Sequence, residues 1–211
     1  MNWYIWIITV VAYIIFAAWY FNCKVPLTAE EIELYIADMA KHSSQSPTDP
    51  EIVRKFLEAD DGKEFIMLNL VRIHEGEVPH PETGEMTTAP EILKGYFGPF
   101  SKALFRKAGH PVYMGRKSGG HIDSWNFADD EGFQLVGAMR YRSRRDMMAL
   151  VSDPRFSDSH KFKLAAIDGT ISFPMQLRMS TYLRPKIWVP LLLLLLASLG
   201  QNLLFLFELR K

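Results

Sequence analysis

Cysteine occurs once in this sequence, at Cys23, which excludes an intrachain disulfide and any site built from several thiolates. The lone thiol fits a reducing compartment, although a domain of this size without disulfides excludes no compartment. The six histidines form no H-x-x-x-H or H-E-x-x-H pair, so no metal is expected. His74 and His80 with Glu75, Glu77, Glu82 and Glu85 leave two readings open, a trap for a divalent ion or a solvated loop. G-x-G-x-x-G, P-loop and G-x-S-x-G elements are absent as well, and no nucleotide or other cofactor is expected. Net charge is also lacking, with 24 basic against 24 acidic side chains. The run Arg140, Arg142, Arg144 and Arg145 has no interleaved aromatic beyond Tyr141, which argues against nucleic acid. It reads as a solvated strand end or as a contact for anionic lipid headgroups.

Charge is missing altogether from both ends. Asn2 to Cys23 holds 22 uncharged positions, which at 1.5 Å per residue reach about 33 Å, the thickness of a hydrocarbon core. Trp3, Tyr4 and Trp6 at one end and Trp19 and Tyr20 at the other match the two headgroup levels. A cleaved signal peptide would need a basic n-region and a small-residue cleavage site, and neither precedes Lys24. A lipobox at Cys23 would need small residues where Tyr20, Phe21 and Asn22 stand. The second run, Ile187 to Phe207, is uncharged over 21 residues and contains six consecutive leucines, Leu191 to Leu196. Two spans put both termini on one side of a bilayer. Lys24, Lys41, Arg178, Arg184 and Lys186 on the domain side outnumber Arg210 and Lys211 on the tails, which predicts a cytoplasmic domain. The expected organisation is a membrane helix over 1–23, two short amphipathic helices and a linker over 24–63, an α+β domain over 64–180, a linker over 181–186 and a membrane helix over 187–209.

Between the spans, Thr28 and Glu31 form a capping box before Ile32, Tyr35, Ile36 and Met39 at helical spacing. Asp49 and Pro50 start a second helix carrying Ile52, Val53, Phe56 and Leu57. Glu64 to Ile73 is apolar on both faces, as in a central strand. A polar loop leads to a helix over Pro90 to Ala108 that Gly109 ends. Pro111 to Lys117 and Phe133 to Arg142 read as strands, the latter alternating Phe133, Leu135, Met139 and Tyr141 onto one face. Ser143 caps a helix with Met147, Leu150 and Val151, Asp153 with Pro154 restarts one through Ile167, and Thr170 to Leu177 alternates as a strand. The order is β-α-β-β-α-β, the ferredoxin-like arrangement of an α+β domain. Residues 24–93 carry 6 basic and 15 acidic side chains and residues 94–186 carry 16 and 8. Either the acidic leading helices fold against the basic remainder, or one of the two faces a partner.

The stretches Leu68-Asn69-Leu70-Val71-Arg72, Gly109-His110-Pro111-Val112-Tyr113 and Val151-Ser152-Asp153-Pro154-Arg155-Phe156 resemble those of the domain of unknown function 1330 group in the dimeric α/β-barrel superfamily. The resemblance covers about Asp49 to Ser180 and implies a protomer whose sheet packs on that of a second copy. It also implies that the space between helices and sheet accepts a small organic ligand. Polar residues embedded in apolar elements, Asn69, Tyr96, His110 and Tyr113, are candidates to line that space, with Asn69 bonding a carbonyl and His110 transferring a proton. The alternative is that Asn69 satisfies neighbouring backbone groups and the others are core or rim residues. His121, after Gly119 and Gly120, sits on a turn able to swing an imidazole over a pocket mouth, or on a plain surface hairpin.

These features support two functions. One is a membrane-anchored ferredoxin-like module that dimerises or serves as an accessory subunit of a membrane complex. The other is a cofactor-independent oxygenase or isomerase acting on a hydrophobic small molecule. Ser198, Gln201, Asn202, Phe205 and Glu208 recur at spacings of three and four along the second span, so self-association or a membrane-complex partner is expected there, besides the lipid bilayer.

Overall fold

The computed structural model describes residues 3–22, 25–41, 49–126, 131–153, 158–180 and 184–209. β1 (Phe65–Ile73) occupies an interior position, which is why its sequence FIMLNLVRI shows no polar face. It pairs antiparallel with β5 (Leu135–Tyr141) on one side and β6 (Ile167–Met175) on the other. β4 (His110–Arg116) closes the far edge of β5, giving a four-stranded sheet in the order β4-β5-β1-β6. With α4 (Ala89–Arg106) after β1 and α5 (Arg144–Val151) and α6 (His160–Ala166) before β6, the chain traces a ferredoxin-like α+β fold.

One sheet face meets the helices. Phe65, Met67, Met139 and Tyr141 alternate onto it and pack against Phe100 and Leu104 of α4 and Leu150 of α5. The Phe65 and Tyr141 rings, directly opposite in register, stack with centroids 5.3 Å apart. Ile92 and Leu93 of α4 extend this core toward Ala166 and Ile73. Each fully buried aliphatic side chain here contributes about 1.5–3 kcal/mol. α2 (Ala29–Lys41) and α3 (Pro50–Glu58) join the same compact unit by burying Ile32 and Leu57 against Met148 of α5. Both start as their sequences require. Thr28 N–H donates to Glu31 Oε2 at 2.9 Å while Glu31 N–H donates to Thr28 Oγ1 at 3.3 Å, and Glu51 N–H donates to Asp49 Oδ1 at 2.8 Å.

Three local expectations are corrected. The polar stretch after β1 is not a plain loop but contains a hairpin, β2 (Glu77–Pro79) paired with β3 (Met86–Thr88), in which Val78 packs under α4 beside Ile73. Strands of three residues are too short to show alternation. The left-handed residue that ends α4 is Ala108 (φ 55°), not Gly109. Ala108 is fully buried, and its carbonyl accepts a hydrogen bond from Arg140 Nη1. Gly109 serves close approach instead, since a Cβ there would lie 2.3 Å from Leu104 Cδ1 and 2.8 Å from the Arg140 carbonyl oxygen. Finally, the arginine run is neither a solvated strand end nor a headgroup contact. Arg140 pairs with Glu64 and Arg142 with Asp146 at 2.7 Å, Arg144 with Asp60 at 3.8 Å and Arg145 with Glu31 at 2.7 Å. Two of these pairs tie the acidic leading segment to α5, so the charge asymmetry between the halves is used internally. The helix expected from Asp153 lies partly outside the described residues, and the next helix gives way to β6 already at Ile167.

The terminal segments form a second unit. α1 (Trp3–Tyr20) and α7 (Pro185–Leu209) are long and apolar enough to cross a membrane by length and composition. They pack on each other through small residues. Ala197 is buried, and a Cβ at Gly200 would come 3.9 Å from Ile5 Cδ1. On the expected polar stripe, Gln201 is half-buried and its Oε1 is enclosed without a hydrogen-bond partner among the described residues. Ser198, Asn202, Phe205 and Glu208 are exposed on α7.

Candidate functional site

Asn69 sits mid-strand on the helix-facing side of β1, opposite Gly137 and Ser172. Its amide nitrogen donates to the carbonyls of Met67 (3.1 Å) and Gly137 (3.2 Å), and its Oδ1 accepts from Ser172 Oγ at 2.8 Å. These bonds fasten three strands together and use both ends of the amide. Tyr96, on the same side, stacks on Phe100 with centroids 5.4 Å apart, and burial pushes its phenol well above the usual range. The register places Tyr113 opposite Ala138 and His110 opposite Arg140, on the other face of the sheet, after an irregularity between Pro111 and Tyr113. His110 Nδ1 lies 2.9 Å from its neighbour's carbonyl, and burial pushes its imidazole below the ordinary value. His121 is exposed in the β4–β5 connection. Asn69 and Tyr96 thus share one side of the sheet, His110 and Tyr113 the other, and His121 neither.

A residue that periodicity did not single out joins Tyr96. Lys163 of α6 directs its ammonium over the Tyr96 ring, 5.9 Å from the centroid, and burial lowers its pKa.

On the other face the alternation of four strands lines up apolar side chains. Tyr113, Ala138, Leu68 and Phe173 form one row across the sheet, and Val136, Leu70 and Ile171 form the next. Tyr113 and Phe173 are each 43% exposed and Ile171 49%. Nothing in the linear order marks these rows, because they draw on residues 25 to 105 positions apart.

A third feature is polar. At the end of β1 a half-open cleft of about 340 Å³ is lined by Arg72, Ile73, His74, Glu75, Gly132, Gln134 and Asp168. Arg72 Nε donates to Asp168 Oδ2 at 2.5 Å and Arg72 Nη1 to the Glu131 carbonyl at 2.9 Å. His74 Nδ1 stands 4.0 Å from the other oxygen of Asp168. Gln134 Oε1 accepts from the Ile73 N–H at 2.8 Å, which fixes its amide at the cleft wall. Among the described residues no group of three or more His, Cys, Asp or Glu side chains is arranged to hold a metal ion.

No protein-family model and no curated protein matches the chain. Two crystal structures of the RPA0582 protein, a protein of unknown function from Rhodopseudomonas palustris, are similar to it. They are 22% identical, with TM-scores of 0.53 and 0.51, and cover 65% and 64% of this chain and 96% and 97% of their own. At that identity the likeness establishes the shared fold, a ferredoxin-like α+β protomer. SnoaB, a cofactor-independent oxygenase from Streptomyces nogalater, is more distant, at 13% identity and a TM-score of 0.36 over 56% of this chain and 97% of its own.

Proposed function

We propose that this chain is a membrane-anchored ferredoxin-like module, affiliated with the domain of unknown function 1330 group, that works by pairing with a second copy through its open sheet face. The row Tyr113, Ala138, Leu68 and Phe173 carries this reading. Helices cover the opposite face of the sheet, and an apolar row that runs across four strands and is exposed at Tyr113 and Phe173 on its two edges is stabilised by burial against a matching one. α1 and α7 hold the module in a bilayer with the domain on the cytoplasmic side, where the basic flanking residues lie. Ser198 and Asn202, polar and exposed on an otherwise leucine-rich helix, supply a second contact to another membrane helix. The test is the mass of the full chain in mild detergent, measured by light scattering with the detergent subtracted. A dimer that Phe173→Asp converts to a folded monomer is expected. A wild-type chain that stays monomeric at high concentration overturns the proposal.

The second reading, a cofactor-independent oxygenase or isomerase, draws support from Lys163. A partly enclosed ammonium of lowered pKa, with no carboxylate partner among the described residues and a phenol beside it, is equipped for proton transfer. The saturated bonding of Asn69 weighs against its use on a substrate carbonyl.

A further inference from the structure

The cleft at the end of β1 contains more than an ion pair needs. Arg72 is let into the backbone between two glycines. A Cβ at Gly169 would stand 3.1 Å from its Nη2, and one at Gly132, which has φ +70°, would stand 3.2 Å from its Cδ. Asp168 and the Glu131 carbonyl hold Nε and Nη1, so the guanidinium plane is fixed from two directions. Nη2 carries no hydrogen bond to a described residue, and neither does the Gln134 amide nitrogen. Two donors of fixed direction are thereby left at the wall of a cleft, while 39% of the Arg72 side chain remains exposed. Beside them stands an imidazole whose Nδ1 faces a carboxylate, the arrangement that leaves Nε2 to accept a proton. The 4.0 Å separation of this pair is longer than a hydrogen bond, and hydrogen bonds in such dyads are commonly long before a ligand binds.

We propose that Arg72, Gln134, His74 and Asp168 form a binding and proton-transfer site for a small 2-oxo acid. The carboxylate and the adjacent ketone oxygen of such a molecule are coplanar acceptors suited to a fixed guanidinium and a neighbouring amide. A volume of about 340 Å³ is at the small end for ligand cavities and suits a molecule of this size. His74 Nε2 removes a proton from the carbon next to the ketone. The C–H bond breaks, an N–H bond forms, and the electron pair moves onto the ketone oxygen, which becomes an enolate facing Arg72 Nη2 and the Gln134 amide. Asp168 holds the resulting imidazolium. Return of the proton to carbon or oxygen completes the cycle, and no cofactor or co-reactant is consumed. Arg72 follows Leu68 and Leu70 on the same sheet face at the end of β1, and the two proposals are separated by their readouts, the mass of the chain for pairing and proton exchange for this site.

The experiment uses the full chain in detergent micelles with 2-oxobutyrate in D₂O, following loss of the proton signal at the carbon beside the ketone by NMR. Wild-type protein is expected to exchange these protons faster than detergent and buffer alone, and oxalate, a planar dianion shaped like the enolate, to suppress the exchange. His74→Gln and Arg72→Gln are each expected to reduce the rate by about 100-fold. A wild-type rate equal to the buffer rate overturns the proposal, as does exchange that survives His74→Gln. Should either variant misfold, exchange in the wild-type protein that is indifferent to oxalate overturns it equally.

Discussion

Replacing Gly109 with alanine adds one methyl group, and the geometry states what that group meets. Its Cβ would fall 2.3 Å from Leu104 Cδ1 and 2.8 Å from the Arg140 carbonyl oxygen. Neither neighbour can yield cheaply. Leu104 is 1% exposed within the α4 core, and the Arg140 carbonyl belongs to β5, which is paired on both sides. Overpacking of this kind costs about 1–3 kcal/mol. Gly109 has a φ that other residues adopt, so the alanine also restricts the unfolded chain, which returns about 0.4–1 kcal/mol. A net loss of about 1–2 kcal/mol remains, equivalent to a fall in melting temperature of about 2–8 °C for a protein of this size. Calorimetry of the full chain in mild detergent measures it, with Gly115→Ala as the control. A Cβ at Gly115, in the edge strand β4, meets nothing within 4 Å, so the control should melt within a few degrees of wild type or slightly above it. If Gly109→Ala melts no lower than Gly115→Ala, the close approach of the α4 terminus to β5 is not a constraint and the reasoning fails.

Arg140→Met should destabilise the domain by about 3 kcal/mol or more, because it leaves Glu64 and the buried Ala108 carbonyl without their partner; a shift of the denaturant midpoint below 1 kcal/mol would contradict this. Burial holds the imidazoles of His110 and His160 below their ordinary value of 6.5. The unfolded chain therefore takes up these protons first, and stability is full above that value and declines as pH falls through it toward the folded pKa values. His110→Gln should flatten that slope in melts run between pH 7.5 and 5.5, and an unchanged slope would count against the assignment. Glu31→Ala removes the Glu31 side-chain half of the α2 capping box and the partner of Arg145, so amide exchange in α2 should accelerate while that in β1 stays as in wild type. For orientation, a cysteine at the exposed Ser118 in a Cys23→Ala background should resist an impermeant thiol reagent in intact cells and react after lysis; labelling in intact cells would reverse the assigned sidedness.

Much of the fold was legible because it rests on short-range rules. The capping box at Thr28 and Glu31, the Asp49-Pro50 start and the Ser143 cap each involve residues two or three apart, and each forms as read. The two-sided apolar run of β1 and the alternation ending in Met139 and Tyr141 identified an interior strand and its neighbour. The β2–β3 hairpin was not legible, since strands of three residues carry no period. Nor was the left-handed Ala108, whose conformation depends on Arg140 reaching its carbonyl from another strand.

The candidate sites divide along the same line. Composition alone determined that both ends are apolar enough to span a bilayer and that neither a thiolate cluster nor a nucleotide loop is encoded. It also determined which polar residues interrupt apolar elements, Asn69 and Tyr96 among them. Only the tertiary structure decided what those residues do. Strand pairing turned Asn69 into a clasp between Gly137 and Ser172, and register sent His110 and Tyr113 to the opposite face. Folding brought Asp168 to Arg72 across 96 positions and assembled an apolar row from four strands. Local sequence specifies torsion angles and faces through interactions a few residues long, whereas a site is a coincidence of side chains from distant segments, and that coincidence exists only once the sheet has closed.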